Sequence, residues 1–221
     1  MAQHRGDDET VLSLAEQLFL LQTDERNPLY GAPALSAAGA LVELALHGRI
    51  SVKNPLRKPP MARKLVVVDA TPTGVPEADR ILELMHHSRL RDAYSLVPRM
   101  AMPVGAIVGD TLARRGIVRP LEPRPPFLGL FPRVPLYGLV KPEVKRAVQL
   151  ADSATRVVLH TTTDVRLGAM VDLVRNGGDA VSGEAGSGIQ PLLKFDGYAP
   201  EVRGTVEAIV QAIKVINGGG G

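Results

Sequence analysis

The sequence has no cysteine and no tryptophan, and aromatic residues make up only 4% of its 221 residues. Without cysteine the protein can form neither disulfides nor thiolate metal sites, which makes a reducing, cytoplasmic compartment the expected location. No apolar run reaches the roughly 18 residues of a membrane-spanning helix, so any membrane contact is expected to be peripheral. The first ten residues also lack the apolar stretch of a secretory signal.

The charge balance is mildly basic, because 26 Lys and Arg residues outnumber 23 Asp and Glu residues. A net charge of +3 favours an anionic partner, such as a membrane surface or nucleic acid, without requiring one. Composition and length are those of a globular protein with one sizeable core. We therefore expect one domain over residues 11–216, between a disordered tail at 1–10 and a flexible glycine tail at 217–221.

The most apolar segment, residues 35–50, predicts a helix in the interior of the domain. Over positions 37–46 only Glu43 is charged, so a helix here is apolar on nearly every face. Ser36 is predicted to cap its N-terminus through the side-chain hydroxyl. Gly48 is predicted to end it, because glycine adopts the left-handed conformation of a C-terminal cap without strain.

The segments around this helix predict a mainly α fold. Ser13 and Glu16 have the spacing of a capping box that begins a first helix. The β-branched run at 64–68 predicts a strand after the central helix, which gives the outline of a winged-helix unit. Residues 103–119 repeat the order helix, basic residue, glycine, strand. The expected fold is a single globular helical domain with small β-hairpins, built as winged-helix-like units around the central apolar helix.

Further helices are predicted downstream of the central unit. One begins at Pro76, a second opens at Pro142, a third covers 164–175, and an amphipathic helix places apolar residues of 206–216 on one face.

Residues 120–142 form a Pro-rich arm that holds seven of the 18 prolines. So many prolines exclude a helix and a central strand, which leaves an edge hairpin or an extended arm. Its apolar residues alternate with arginines, which suits a membrane contact or an oligomer interface. The same side chains could instead cover the core of their own chain. The residues predicted for such a contact are Phe127, Leu128, Phe131, Arg133 and Tyr137.

No arrangement of residues predicts catalysis, a metal site or a cofactor site. The glycine-rich stretch at 183–188 lacks the Lys-Ser/Thr of a phosphate-binding loop and is predicted to be a solvated loop. His86 and His87 are adjacent, so their side chains are expected to diverge on a helix. Neither a nucleophile elbow nor a pair of carboxylates at useful spacing is present, and the protein is therefore expected not to be an enzyme.

Several of these segments resemble the Golgi phosphoprotein 3 family, in its bacterial branch. The similarity extends over residues 12–216, and its most specific parts are LSLAEQLFLL, ELALHGRI, DATPTG and TLARRGIV. The resemblance implies a mostly helical domain without catalysis or cofactor. Eukaryotic members of the family bind phosphatidylinositol 4-phosphate through a basic pocket beside a membrane-inserting loop. They also bind the cytoplasmic tails of glycosyltransferases and oligomerise through a β-hairpin, which corresponds to the arm here.

The resemblance places uncharged residues at the positions of the family's pocket. The pocket's three arginines correspond to Ala37, Ala101 and Val104. The loop that carries the family's tryptophan offers Leu29 and Tyr30.

Nearby residues could replace the missing groups. Tyr30 could act as the membrane wedge, and Arg26 and Arg99 could supply cations from neighbouring turns. These three residues are the predicted contacts to a lipid headgroup.

Three functions follow as hypotheses. The first is a cytoplasmic, peripheral membrane-binding protein that recognises an anionic phosphoinositide headgroup, phosphatidylinositol 4-phosphate by family resemblance. The second is a protein–protein adaptor that has lost lipid binding and binds protein tails or its own copies through the arm 120–142. The third, a nucleic-acid-binding module, is disfavoured because the central helix has no Arg or Lys to contact phosphates.

Overall fold

The computed structural model describes residues 11–22, 32–53, 59–87, 91–121, 136–157, 163–177 and 196–218. Within these ranges seven α-helices and two antiparallel hairpins form one mainly helical domain, as predicted. In chain order the elements are α1 (Leu14–Gln22), α2 (Ala32–Leu46), β1 (Ile50–Lys53), a 3-10 turn (Pro60–Ala62), β2 (Lys64–Val67), α3 (Pro76–His87), α4 (Ala93–Arg114), β3 (Val118–Leu121), β4 (Leu136–Leu139), α5 (Pro142–Val157), α6 (Val165–Gly177) and α7 (Pro200–Gly218).

Of the predicted tails and the glycine-rich loop, the structure describes only residues 217 and 218. The tail at 1–10 and the loop at 183–188 lie outside the described residues. The boundary predicted at the other end is two residues early, because α7 continues to Gly218.

Helix α2 is the centre of the domain, as its composition predicts. It packs against α1, α3, α4, α6 and α7. Every residue from position 35 to position 45 is buried, including Glu43, which is 6% exposed. A helix buried on all faces cannot be amphipathic, which explains why its sequence shows no polar stripe.

The prediction that Ser36 caps α2 is wrong. The helix begins at Ala32, four residues before Ser36, and the buried Ser36 hydroxyl has no hydrogen-bond partner in the part of the chain that the structure describes. Pro33 explains the earlier start, since a proline in the first turn has no N–H to leave unsatisfied and its fixed φ suits a helix.

The predicted glycine cap of α2 is confirmed. Gly48 has a φ of +67°, its N–H donates to the Ala45 carbonyl (3.0 Å), and the Arg49 N–H donates to the Leu44 carbonyl (2.8 Å). This is the pair of bonds of a Schellman motif. The same two bonds, each 2.9 Å long, end α4 at Gly116, whose φ is also +67°.

The similarity between the two helix–glycine–strand segments extends to their hairpins. In the first hairpin the Arg49 carbonyl accepts the Val68 N–H (2.8 Å), and in the second the Ile117 carbonyl accepts the Val140 N–H (2.9 Å). Each hairpin then leads into a helix that begins with proline, α3 or α5. The domain therefore contains the helix–hairpin–helix unit twice.

Helix α4 is longer than the sequence predicts. It begins after Asp92, whose Oδ1 accepts the Ser95 N–H (2.8 Å), and it runs through Pro98 and Pro103. A proline inside a helix leaves the carbonyl four residues earlier without its usual donor. Pro98 is exposed and Pro103 is partly exposed, so this side of the helix faces water, which can hydrate those carbonyls.

The two ends of the described chain form the helices that their patterns predict. Ser13 and Glu16 form the predicted capping box: the Ser13 N–H donates to Glu16 Oε2 (2.8 Å) and the Glu16 N–H donates to Ser13 Oγ (3.2 Å). In α7 the predicted apolar face is buried in the core, with Val206 and Ile209 fully covered.

Candidate functional site

The three positions predicted to correspond to the family's pocket arginines lie in the interior of this protein. Ala37 on α2 and Val104 on α4 are completely buried, and Ala101 on α4 is 9% exposed. Helices α2 and α4 pack closely against each other, and these small apolar residues take part in the core. These positions therefore offer no group to an anion.

Of the predicted headgroup contacts, the structure places Arg99, on the exposed side of α4. Its side chain lines a cavity of about 110 Å³ between α3 and α4, together with His87 of α3. Three apolar side chains, Leu84, Leu96 and Met100, complete the lining. Arg26 and Tyr30 lie outside the described residues.

The connection between α3 and α4 fixes the position of this cavity. Arg91 Nη1 donates to the Met85 carbonyl (2.7 Å) in the last turn of α3, and the Arg91 carbonyl accepts the N–H of Leu65 in β2 (2.6 Å). Asp92 then caps the start of α4. The ends of the two helices are therefore held by the first hairpin, and with them His87 and Arg99.

The expectation that the side chains of His86 and His87 diverge is wrong. Their ring centroids are 5.1 Å apart, with an angle of 50° between the ring planes. Successive Cβ atoms point about 100° apart on a helix, but both residues are exposed in the last turn and their rings can lean toward each other. The C-terminal end of the α3 dipole favours positive charge at this position.

Chemically, the cavity combines a cationic donor with apolar walls. The Arg99 guanidinium presents a planar fork of N–H donors that matches a phosphate or a carboxylate. The histidine ring adds a further N–H donor. Among the described residues Arg99 forms no ion pair.

Exposed apolar side chains lie on the same helix as Arg99. Tyr94 is 45% exposed and Met102 is 39% exposed, and exposed Pro98 lies halfway between them. The spacing of four residues puts all three on one face of α4, over a length of about 12 Å. Tyrosine suits a boundary between water and an apolar phase, because its ring is apolar and its hydroxyl is polar. This face therefore offers cationic and apolar contacts side by side.

The Pro-rich arm is described only at its base. Phe127, Leu128, Phe131 and Arg133 lie outside the described residues, and the base is the β3–β4 hairpin. The remaining predicted contact residue, Tyr137, is 4% exposed. For Tyr137 the predicted membrane or oligomer contact is therefore wrong, and the side chain covers its own core.

The surroundings of Tyr137 show what holds it in the core. Its ring meets the ring of Phe19 edge-on, with 5.9 Å between centroids, and lies directly over Gly109. Its hydroxyl donates to Asp110 Oδ1 (2.8 Å). Burial, and then the neighbouring Asp110 carboxylate, raise the pKa of the Tyr137 phenol well above its usual range. Sequence could not separate this role from an exposed one, because both use the same residue type.

Fold and site together define a mainly helical domain with a small cationic cavity on its surface. None of the helices in the described ranges has the length and hydropathy of a membrane-spanning segment. The sequence model of the Golgi phosphoprotein 3 (GPP34) family matches residues 14–181. The chain therefore belongs to the Golgi phosphoprotein 3 family, which confirms the resemblance. A search of curated proteins finds no significant match.

Proposed function

We propose that this protein is a non-catalytic, peripheral membrane-binding protein of the cytoplasm that recognises an anionic phosphoinositide headgroup, phosphatidylinositol 4-phosphate by family. The observation that carries the proposal is the Arg99–His87 cavity beside exposed Tyr94 and Met102. Family membership supports a phosphoinositide-binding or adaptor role in general. The cavity supports the lipid alternative.

Physical magnitudes favour a weak, reversible interaction at this site. One charge-assisted hydrogen bond contributes about 1.5–3 kcal/mol, so Arg99 alone cannot hold a headgroup tightly. Insertion of Tyr94 and Met102 at the acyl boundary adds about 0.8 kcal/mol for each buried methylene. The anionic surface potential adds about 1 kcal/mol for each basic residue near the membrane. The summed interaction is that of a peripheral protein that binds only where headgroup and surface are both present.

Co-sedimentation with vesicles tests this proposal. Three compositions are compared at physiological salt: neutral lipid, a generally anionic lipid, and phosphatidylinositol 4-phosphate in a neutral background. The proposal expects selective pelleting with the phosphoinositide. Equal pelleting with both anionic compositions would reduce the site to a basic surface, and no pelleting would overturn the proposal.

The second candidate is the adaptor that uses the arm 120–142. The hairpin that presents this arm is anchored by Tyr137, and Val140, just after β4, is 48% exposed. An adaptor would not pellet with any vesicle. It would self-associate or bind protein tails, and deletion of residues 123–134 would abolish that association in sedimentation velocity while the monomer stays folded.

A further inference from the structure

A second cavity, of about 320 Å³, lies where α1 begins. Three carboxylates line it, each from a different helix: Glu16 of α1, Glu43 of α2 and Glu77 of α3. Two guanidiniums, those of Arg115 and Arg166, line it as well. The three glutamates are 3%, 6% and 1% exposed, so their charges are largely removed from water.

Two of these carboxylates have cationic partners. Arg115 Nη1 donates to both oxygens of Glu16 (2.7 and 2.8 Å), and Arg166 Nη2 donates to Glu43 Oε1 (2.7 Å). Both carboxylates also accept backbone N–H groups at the start of α1, since Glu43 Oε2 accepts the Leu14 N–H (3.0 Å). Their negative charge is therefore compensated, and they hold the first turn of α1 against α2, α4 and α6.

Among the described residues Glu77 has no such partner, although it is the most deeply buried of the three. Its donors in the described structure are the neutral hydroxyl of Ser13 and its own backbone N–H. Burial raises the pKa of the Glu77 carboxyl, the charges of Glu16 and Glu43 raise it further, and the two donors only partly oppose this. A buried carboxylate without a cation is costly when ionised and much less so when protonated.

The charged and titratable groups around Glu77 come from every helix that meets it. Besides the residues already named, α3 contributes Asp79, whose carboxylate accepts the N–H groups of Thr73 and Gly74 (2.6 and 3.1 Å). The remaining polar lining residue of α4 is Thr111. None of these groups offers Glu77 a positive charge of its own.

We propose that Glu77 is a pH-sensitive latch that joins the beginnings of α1 and α3. A proton on its carboxyl lets the Ser13–Glu77 contact form without a third buried negative charge, and loss of that proton loosens the start of α1. The stabilisation is fully present below the pKa of an unfolded glutamate and is lost as the pH rises through the higher pKa of the folded protein. The protonation state of Glu77 therefore sets the stability of α1, the helix that precedes residues 23–31 in the chain. The latch does not depend on lipid binding.

Two measurements on the full chain test the latch. The carboxyl ¹³C shift of Glu77 is followed against pH, and thermal unfolding of the wild type, Glu77→Gln and Glu83→Gln is measured from pH 4 to pH 8. Glu83 is the matched control, because it is an exposed glutamate of the same helix. We expect the Glu77 midpoint to lie above those of exposed glutamates. We also expect Glu77→Gln to match the wild type near pH 4 and to unfold a few degrees higher at pH 8, whereas Glu83→Gln follows the wild type.

Hydrogen exchange locates the effect. Corrected for intrinsic rates, the first amides of α1 should lose protection relative to those of α7 as the pH rises in the wild type, but not in Glu77→Gln. Ser13→Ala removes a donor to the ionised carboxylate and should move the Glu77 midpoint further upward. A Glu77 midpoint at or below those of exposed glutamates would overturn the proposal. A stability difference between wild type and Glu77→Gln that does not change with pH would do the same.

Discussion

Gly109→Ala tests whether the second hairpin is fastened to α4 through Tyr137. A Cβ at position 109 would lie 2.3 Å from two atoms of the Tyr137 ring. Carbon atoms pack favourably at about 3.5–4.0 Å, so the ring would have to move by more than 1 Å. It cannot do so freely, because Asp110 holds its hydroxyl and Phe19 lies against its edge.

The magnitude follows from three contributions. Overpacking of this kind costs about 1–3 kcal/mol. Displacing the ring weakens a hydrogen bond to a charged group, worth about 1.5–3 kcal/mol. Replacing glycine by alanine inside a helix stabilises the helix by about 1 kcal/mol, which offsets part of this loss. We expect Gly109→Ala to lower the free energy of unfolding by about 2–4 kcal/mol in urea titrations, and the Tm by about 4–16 °C.

A double-mutant cycle identifies the cause of this loss. In a Tyr137→Ala background the ring is gone, and the same Gly109→Ala change should stabilise the protein by up to about 1 kcal/mol. The sign of the effect therefore reverses if the ring is the obstacle. Equal destabilisation in both backgrounds, or stabilisation of the wild type, would refute the packing described for Tyr137.

Two further predictions concern the caps and the tyrosines. Gly48→Ala and Gly116→Ala each force a side chain into a left-handed conformation, although there is open space for either Cβ. Each change should lower the free energy of unfolding in urea titrations by about 1–2 kcal/mol. Unchanged stability would contradict the Schellman geometry. Burial raises the pKa of Tyr137 and of Tyr198. Absorbance at 295 nm should therefore show two of the four tyrosines ionising only well above pH 10, together with unfolding. Titration of all four tyrosines near pH 10 in the folded protein would contradict the burial of these two side chains.

Local signals in the sequence predicted much of the fold. The capping box at Ser13 and the glycine at position 48 work through neighbours three to five residues away, so their residues identify them. Prolines were less informative. Pro98 lies inside α4 rather than at its end, on the exposed face of the helix, where water can replace the missing donor.

The candidate sites depend on contacts between residues far apart in the chain. Arg99 could be named from sequence because it lies close to the positions that match the family's pocket, whereas His87, which lines the same cavity, could not. Glu43 was visible as the one charge in an apolar helix, but its partner Arg166 is 123 positions away. Such a pairing is determined by tertiary packing, so no local sequence pattern predicts it.

Vesicle binding by Arg99→Ala, compared with Arg114→Ala, tests the central claim most directly. Both changes remove one arginine from α4, and the two positions lie about 22 Å apart along the helix. With phosphatidylinositol 4-phosphate vesicles at physiological salt, we predict that Arg99→Ala weakens binding by about tenfold, as expected for one lost charge-assisted bond. Arg114→Ala should bind within about twofold of the wild type, since it changes only the net charge. Equal binding by the two variants would contradict a headgroup site at Arg99.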